Sequence, residues 1–282
     1  MGAGRVGTAL AVLLQRAGHT VTAVAGREAT RARAAEHLPG VPVLPETEAA
    51  LAAELVVLAV PDDAVEPTAI RLAEAAAFRP GAWVTHVSGA LGLDVLATAL
   101  AAGAQRLAIH PLQTLPDVGS AIERIPGSAM AVTADDEDGA RLGERLALDV
   151  GARPFRLADE RRPLYHAAAV FASNYLVTTA GVAEELFRKA GVPDPAGVLI
   201  PLARASLENV ERMGPAGALT GPAVRGDAGT VARNLEALRA AAPQAVPGYV
   251  ELCRLALDLG ERGGRLSSEG RGAVEEVLAR WR

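Results

Sequence analysis

The 282-residue sequence predicts an α/β fold, a doubly wound Rossmann-type parallel sheet, followed by a second, all-helical domain. Two patterns carry that prediction. In the first half, short unbroken apolar runs alternate with amphipathic helical stretches, as expected for strands covered on both faces. After about Gly151 the runs stop and long helical patterns continue to the C-terminus. A third observation is local. The chain opens on MGAGRVGTAL, in which Gly2, Gly4 and Gly7 spell G-x-G-x-x-G, a turn that normally follows a strand and opens a helix.

The expected strands are Val21–Ala25, Val41–Leu44, Leu55–Val60, Trp83–Val87, Leu107–Ile109 and Ala129–Val132, with a weak one near Phe155. Helical patterns lie between them at about Arg5–Ala17, Glu28–His37, Thr47–Ala53, Val65–Ala76, Leu93–Ala101 and Glu137–Leu148. The first C-terminal helix is expected over Arg161–Ala190, with Pro163 in its first turn and Gly191 and Pro193 at its stop. Others follow at about Ala196–Arg212, Thr230–Ala241, Val246–Arg262 and Ser268–Arg282. The domains are therefore residues 1–153 and 154–282.

The three glycines serve a tight turn, a close approach of backbone to a pyrophosphate, and close helix–strand packing. Backbone amides at the helix start, those of Gly4, Arg5, Val6 and Gly7, are expected to hold phosphates. Arg27 stands 20 positions beyond Gly7, where an acid would hold a ribose 2′-hydroxyl and an arginine a 2′-phosphate. With Arg31 one helical turn on, the pattern argues for NADP; otherwise both are solvated arginines at a helix start. The strand ahead of Gly2 is reduced to Met1. Losing about five buried apolar residues would remove on the order of 10 kcal/mol, so the strand is expected upstream of Met1. An in-frame stop codon directly before Met1 would refute that.

Composition narrows the function classes. A formal net charge of −5 and 3% aromatic residues supply neither a basic field nor stacking platforms for nucleic acid or anionic membranes. The single cysteine, Cys253, permits no internal disulfide and no Cys-rich metal site, which suits a reducing cytoplasm. No metal site is expected. No apolar run approaches the ~20 residues of a spanning helix. Arg5 with Thr8–Leu14 also reads as a short signal peptide, but Gln15 and Arg16 interrupt it early.

With the glycine fingerprint, the stretches LVVLAVPDDAV, HVSGALGLDVL, AIHPLQTLPD, LYHAAAVFASNYL and ALTGPAVRGDAGTVARNL occur in this order. Together they resemble a bacterial family of Rossmann-like proteins that carry a C-terminal helical domain of unknown function. Their N-terminal domain is similar to that of deazaflavin-dependent NADP oxidoreductases. The wider group looks like the 6-phosphogluconate-dehydrogenase-like superfamily, with ketopantoate, pyrroline-5-carboxylate and prephenate relatives. The resemblance implies an NADP-linked oxidoreductase and a homodimer built through the helical domain. It names no substrate.

In AVPDDAV, Val60 and Pro61 end a strand, and the resemblance carries the nicotinamide ribose past them. Asp63, three residues before Glu66, reads as a helix capping box. In THVSGAL, Ser88 and Gly89 either present a hydroxyl and an amide to substrate or nicotinamide, or Ser88 is an ordinary N-cap; His86 reads as a core histidine. His110, before Pro111, emerges at the same edge as Ser88. Histidine titrates near the working pH, so His110 suits the proton transfer that accompanies hydride arrival, with Gln113 as companion. Prephenate dehydrogenases look similar here, with a catalytic His-Pro pair.

On the long helix His166, Val170, Asn174 and Val177 share one face at spacings of four, four and three. That stripe either packs on the first domain while aiming His166 and Asn174 into a cleft, or makes two interdomain hydrogen bonds. Arg225 in LTGPAVRGD is a candidate clamp for an anionic substrate group, and Asp227 for either that turn or a helix cap. Lys189, the only lysine, stands near the wrong end of its helix for the helix-lysine mechanism of hydroxyisobutyrate-type relatives. The reading is an NADP-dependent oxidoreductase acting on a small carbonyl, imine or hydroxy-acid metabolite. The alternative is a non-catalytic NADP-binding sensor or assembly protein.

Overall fold

The computed structural model describes residues 1–281, which pack as two units, Met1–Ser173 and a second beginning at Asn174. The division falls beyond the expected 153/154 boundary, because residues 154–173 pack with the sheet domain.

The first unit opens with α1 (Arg5–Arg16), α2 (Ala29–His37) and α3 (Glu46–Leu51). It then alternates β1 (Leu55–Leu58), α4 (Asp62–Glu74), β2 (Trp83–His86), α5 (Ala97–Ala101), β3 (Gln105–Leu112), α6 (Val118–Arg124) and β4 (Ala129–Ala134). α7 (Glu137–Asp149), β5 (Arg153–Arg156) and α8 (Arg162–Val170) complete it. The described strands form a five-stranded sheet in the order β1-β2-β3-β4-β5.

β1, β2 and β3 are parallel, as are β4 and β5, but β4 runs antiparallel to β3. The expected parallel-type sheet is thus present, with β3–β4 as its one antiparallel pairing among the described residues. Ala129–Ala134 is apolar because both of its faces are covered, and an unbroken apolar run records burial, not direction. The link that turns the chain back contains α6, which periodicity did not reveal; Asp117 caps it by accepting from the Ser120 amide at 2.8 Å.

The runs Val21–Ala25 and Val41–Leu44 were expected as strands but meet in a single parallel bridge, Val24 to Val43. Beside them lies a cavity of about 620 Å³, lined by Leu10, Leu14, Val21, Leu55 and Val57. Val21–Ala25 faces that cavity and lacks the ladder partner that would define it as a strand. Met1 takes the last position of the expected strand. Its amino group donates to the Val57 carbonyl at 2.7 Å, and its carbonyl accepts from the Ala59 amide at 2.9 Å.

Helices cover both sheet faces. Leu10, Leu107, Ile125 and Val132 are buried on the side of α1, α6 and α7, and Val56, Leu72, Val84 and Leu96 on the side of α4 and α5. At about 1.5–3 kcal/mol for each large apolar side chain, these layers hold the strand ends in place.

A π-helical turn, Phe171–Tyr175, leads into α9 (Leu176–Lys189), so the long helix expected over Arg161–Ala190 is present and continuous, with a π turn inside it. The turn contains no Gly or Pro that would have marked it. α10 (Pro195–Ala218), α11 (Ala228–Ala241), α12 (Val246–Arg262) and α13 (Ser268–Leu278) follow. Val231, Leu235, Val250, Leu257 and Val274 form the core of α11, α12 and α13. By contrast, α9 buries no residue and α10 buries only Leu199. Gly214 (φ 71°, ψ 166°) kinks α10 directly ahead of Pro215. Among the described residues, no helix is long and apolar enough to cross a membrane.

Candidate functional site

The opening turn requires its glycines for two different reasons. Gly2 has φ 71°, and a Cβ there would lie 2.6 Å from the Ala59 carbonyl oxygen. A Cβ on Gly7 would lie 2.6 Å from the Gly2 oxygen. Gly4 instead faces open space, its nearest neighbour 3.8 Å from an added Cβ. It is the N-cap of α1, which has no side-chain cap and no acidic residue in its first turn. The first-turn amides, from Arg5 through Gly7, have no intrahelical acceptor, so they are available to an anion.

The Gly2 amide donates to the Ala25 carbonyl at 2.9 Å, and a Cβ on Gly26 would approach the Ala3 nitrogen to 3.5 Å. Arg27 therefore follows directly on a residue that abuts the glycine turn. Arg27 and Arg31 are exposed. Arg33, which the sequence reading missed, ties α2 to the turn by donating from Nε to the Ala3 carbonyl at 2.7 Å.

Across the sheet, parallel register pairs His86 of β2 with Ala108 of β3, and β3 runs on to Leu112. The loop leaving β2 at Ser88 thus comes level with His110, as expected. Gly89 is the point of closest approach. A Cβ there would lie 2.8 Å from His110 Cε1 and 2.8 Å from His166 Nδ1. The two imidazole centroids are 6.4 Å apart.

The partner of His110 is Tyr165, whose hydroxyl shares a 2.7 Å hydrogen bond with Nδ1. Gln113 is not the companion expected, because its side-chain oxygen accepts from the amide and hydroxyl of Thr114. Phe155 stacks edgewise on Tyr165 at 5.8 Å. His166 Nδ1 is buried and has no hydrogen-bond partner among the described residues.

The Ser88 hydroxyl donates to Asp62 Oδ2 at 2.8 Å and accepts from the amides of Ala90 and Leu91 at 3.2 Å. It organises its own loop and caps no helix. Asp63 is not a cap either, since α4 has Pro61 as N-cap and no side-chain cap bond. Val60 is half-buried and Pro61 exposed at the end of β1. His86 is buried, with Nε2 sharing a 3.0 Å hydrogen bond with the Gly92 carbonyl and Nδ1 lacking a partner.

Burial first, and the Arg162 guanidinium next, push both His86 and His110 down to about 4. The expectation that His110 titrates near neutrality is corrected: its imidazole is uncharged at pH 7. Burial pushes the Tyr165 phenol up to about 12. His110 and Tyr165 are therefore a neutral, hydrogen-bonded pair, able to pass a proton between them but not to hold a stable charge. Arg162 and Tyr165 were missed by the sequence reading. The signal was present, since Arg162, Tyr165 and His166 lie three and four residues apart on one helical face.

The remaining predicted residues belong to the second unit. Asn174 is exposed within the π-helical turn, whose wider ladder breaks the α-helical spacing assumed between it and His166. Arg225 is exposed at the end of a 3₁₀ turn, and Asp227 caps α11 by accepting from the Thr230 amide at 2.9 Å. Lys189 donates to the Ala241 carbonyl at 2.7 Å.

Residues 1–111 match the Rossmann-like domain family, and residues 128–256 match DUF2520, a domain of unknown function. The chain is a Rossmann-like domain followed by DUF2520. The DUF2520 match starts at β4, so that domain takes in sheet strands as well as helices. No curated protein matches the sequence. Among solved structures, BF3122 of Bacteroides fragilis, described as an NADP oxidoreductase, is similar over 91% of this chain and 96% of its own (25% identity, TM-score 0.73). TM1727 of Thermotoga maritima covers 92% and 98% (22%, TM-score 0.67). A reductive aminase of Aspergillus terreus, in complex with NADPH and ethyl levulinate, covers 100% and 97% (21%, TM-score 0.58).

Proposed function

We propose that this Rossmann-like/DUF2520 protein is an NADP-dependent oxidoreductase acting on a small carbonyl, imine or hydroxy-acid metabolite. One observation carries the reading. The open glycine turn at α1 and the His110–Tyr165–His166 cluster both lie at the carboxyl ends of β1, β2 and β3, where open α/β sheets bind ligands. The residues fit a dinucleotide, because nothing crowds Gly4 at an uncapped helix start free of acids. The similarity to BF3122 supports a nicotinamide cofactor, which when bound supplies or accepts the hydride.

The chain's own groups do the rest. Arg5, Val6 and Gly7 amides hold the pyrophosphate, and Arg27 and Arg31 meet the 2′-phosphate. Ser88 shapes the loop that presents Gly89, and Tyr165, backed by His110, carries the proton to or from the substrate oxygen or nitrogen. The unburied faces of α9 and α10 are covered by a second copy, making a homodimer.

The test is NADPH oxidation with a panel of 2-oxo acids, cyclic imines and prephenate-like substrates. Turnover should fall by about 10²–10⁴ in Tyr165→Phe and His110→Ala while NADPH binding is kept. Tight NADPH binding with no turnover on any substrate, unaffected by either cluster variant, would instead favour a sensor.

A further inference from the structure

Gly89 has no side chain at the point where two imidazoles converge. A Cβ there would stand 2.9 Å from His110 Nε2 and 2.8 Å from His166 Nδ1, so both nitrogens border one shared space. The rings meet edge to face, with centroids 6.4 Å apart and planes at 72°. His166 Nδ1 is buried and has no hydrogen-bond partner among the described residues. The hydrogen bond of His110 is made at its other nitrogen, Nδ1, with the Tyr165 hydroxyl at 2.7 Å. The Tyr165–His110 pair thus ends at Nε2 beside an orphaned nitrogen, where Gly89 leaves room for the two to meet.

Leaving a buried polar nitrogen unpaired costs about 1–3 kcal/mol, which outweighs a small rotation of either ring. An uncharged imidazole has one hydrogen for two nitrogens, and the bond at one nitrogen decides what the other can do. If Tyr165 donates to His110 Nδ1, its hydrogen is taken up and cannot go to a substrate. For Tyr165 to give a proton, His110 must donate from Nδ1, which leaves Nε2 as a bare acceptor. No bond that His110 makes among the described residues fixes that choice. We propose that His166 is a positioning residue that donates from Nδ1 to His110 Nε2, holding His110 as the Nδ1–H tautomer and freeing the Tyr165 hydrogen for the substrate. His166 acts through His110 and Tyr165 and need not touch the substrate. Gly89 is required for the same reason, because any side chain there would stand between the two nitrogens. The inference rests on the oxidoreductase reading above for its purpose, though not for its geometry.

Its test needs neither cofactor nor turnover. Nitrogen-15 NMR of the full chain at pH 8 reads which nitrogen of each imidazole carries the hydrogen, and the chain has only five histidines to resolve. His110 and His166 are assigned by the signals lost in His110→Gln and His166→Gln. In the unaltered protein His110 should be mainly Nδ1–H. His166→Phe keeps a ring but no donor, and should shift His110 to mainly Nε2–H; Gly89→Ala should do the same. His166→Asn, whose amide can donate from the place of Nδ1, should keep His110 as Nδ1–H. A mainly Nε2–H His110 in the unaltered protein would overturn the proposal, as would an unshifted tautomer in folded His166→Phe or Gly89→Ala. Should neither of those variants fold, His166→Asn decides: Nδ1–H supports the proposal and Nε2–H overturns it. Failure to oxidise NADPH with any substrate strikes the oxidoreductase reading alone, so the two failures are distinguishable.

Discussion

Two buried imidazoles held below their ordinary range make this protein sensitive to acid. His86 and His110 are held down at about 4, by burial first and Arg162 next. Unfolded, each titrates near 6.5. Between those values the unfolded chain takes up protons that the native chain refuses. The stability is therefore complete above about 6.5 and drains away as pH falls toward 4. Urea unfolding at pH 7, 6 and 5 should show a loss of roughly 1 kcal/mol per histidine per pH unit. His86→Gln should flatten that slope, and a slope unchanged by the substitution would contradict the assignment. Glycines make the other prediction at this scale. Gly7→Ala places a methyl 2.6 Å from the Gly2 oxygen, so it should cost about 1–3 kcal/mol and weaken dinucleotide binding; Gly4→Ala, with open space around it, should spare stability. The glycine spacing and His110 were legible from local sequence. Tyr165, His110's partner, was not, because 55 residues separate them and only the fold brings them together.

Elements were legible where their pattern has one structural meaning. α7, with Asp136 as cap, and α12 fall where periodicity put them. The direction of β4 was hidden, because a strand buried on both faces reads the same either way. The π-helical turn was hidden too, because it disturbs the ladder without a breaker residue. Caps were ambiguous: Asp63 and Asp227 both precede helical patterns, yet only Asp227 accepts a first-turn amide. Asp227→Ala should therefore cost about 0.5–2 kcal/mol in chemical denaturation, and Asp63→Ala close to nothing. Equal costs would contradict the cap assignments.

For the molecule as a whole, the sequence revealed a sheet domain followed by helices but not how completely the helices satisfy themselves. Most helical stability in proteins comes from packing an apolar face, not from intrinsic propensity. α9 has no buried residue, while Val177 is 69% and Leu202 60% exposed. The homodimer proposed above gives those faces a partner. Light scattering with size-exclusion chromatography should read twice the chain mass, and Val177→Glu with Leu202→Glu should shift it to one; a monomeric unaltered chain would refute the proposal.

Amides at the head of α1 are proposed to hold a nicotinamide dinucleotide, and Arg27 and Arg31 to select its phosphorylated form. Calorimetric titration of the full chain with NADPH and NADH tests this most directly. NADPH should bind at least tenfold more tightly, a difference of about 1.4 kcal/mol, and Arg27→Ala with Arg31→Ala should erase that preference while leaving NADH binding in place. Failure of both dinucleotides to bind, or a preference for NADPH that survives loss of both arginines, would contradict the account.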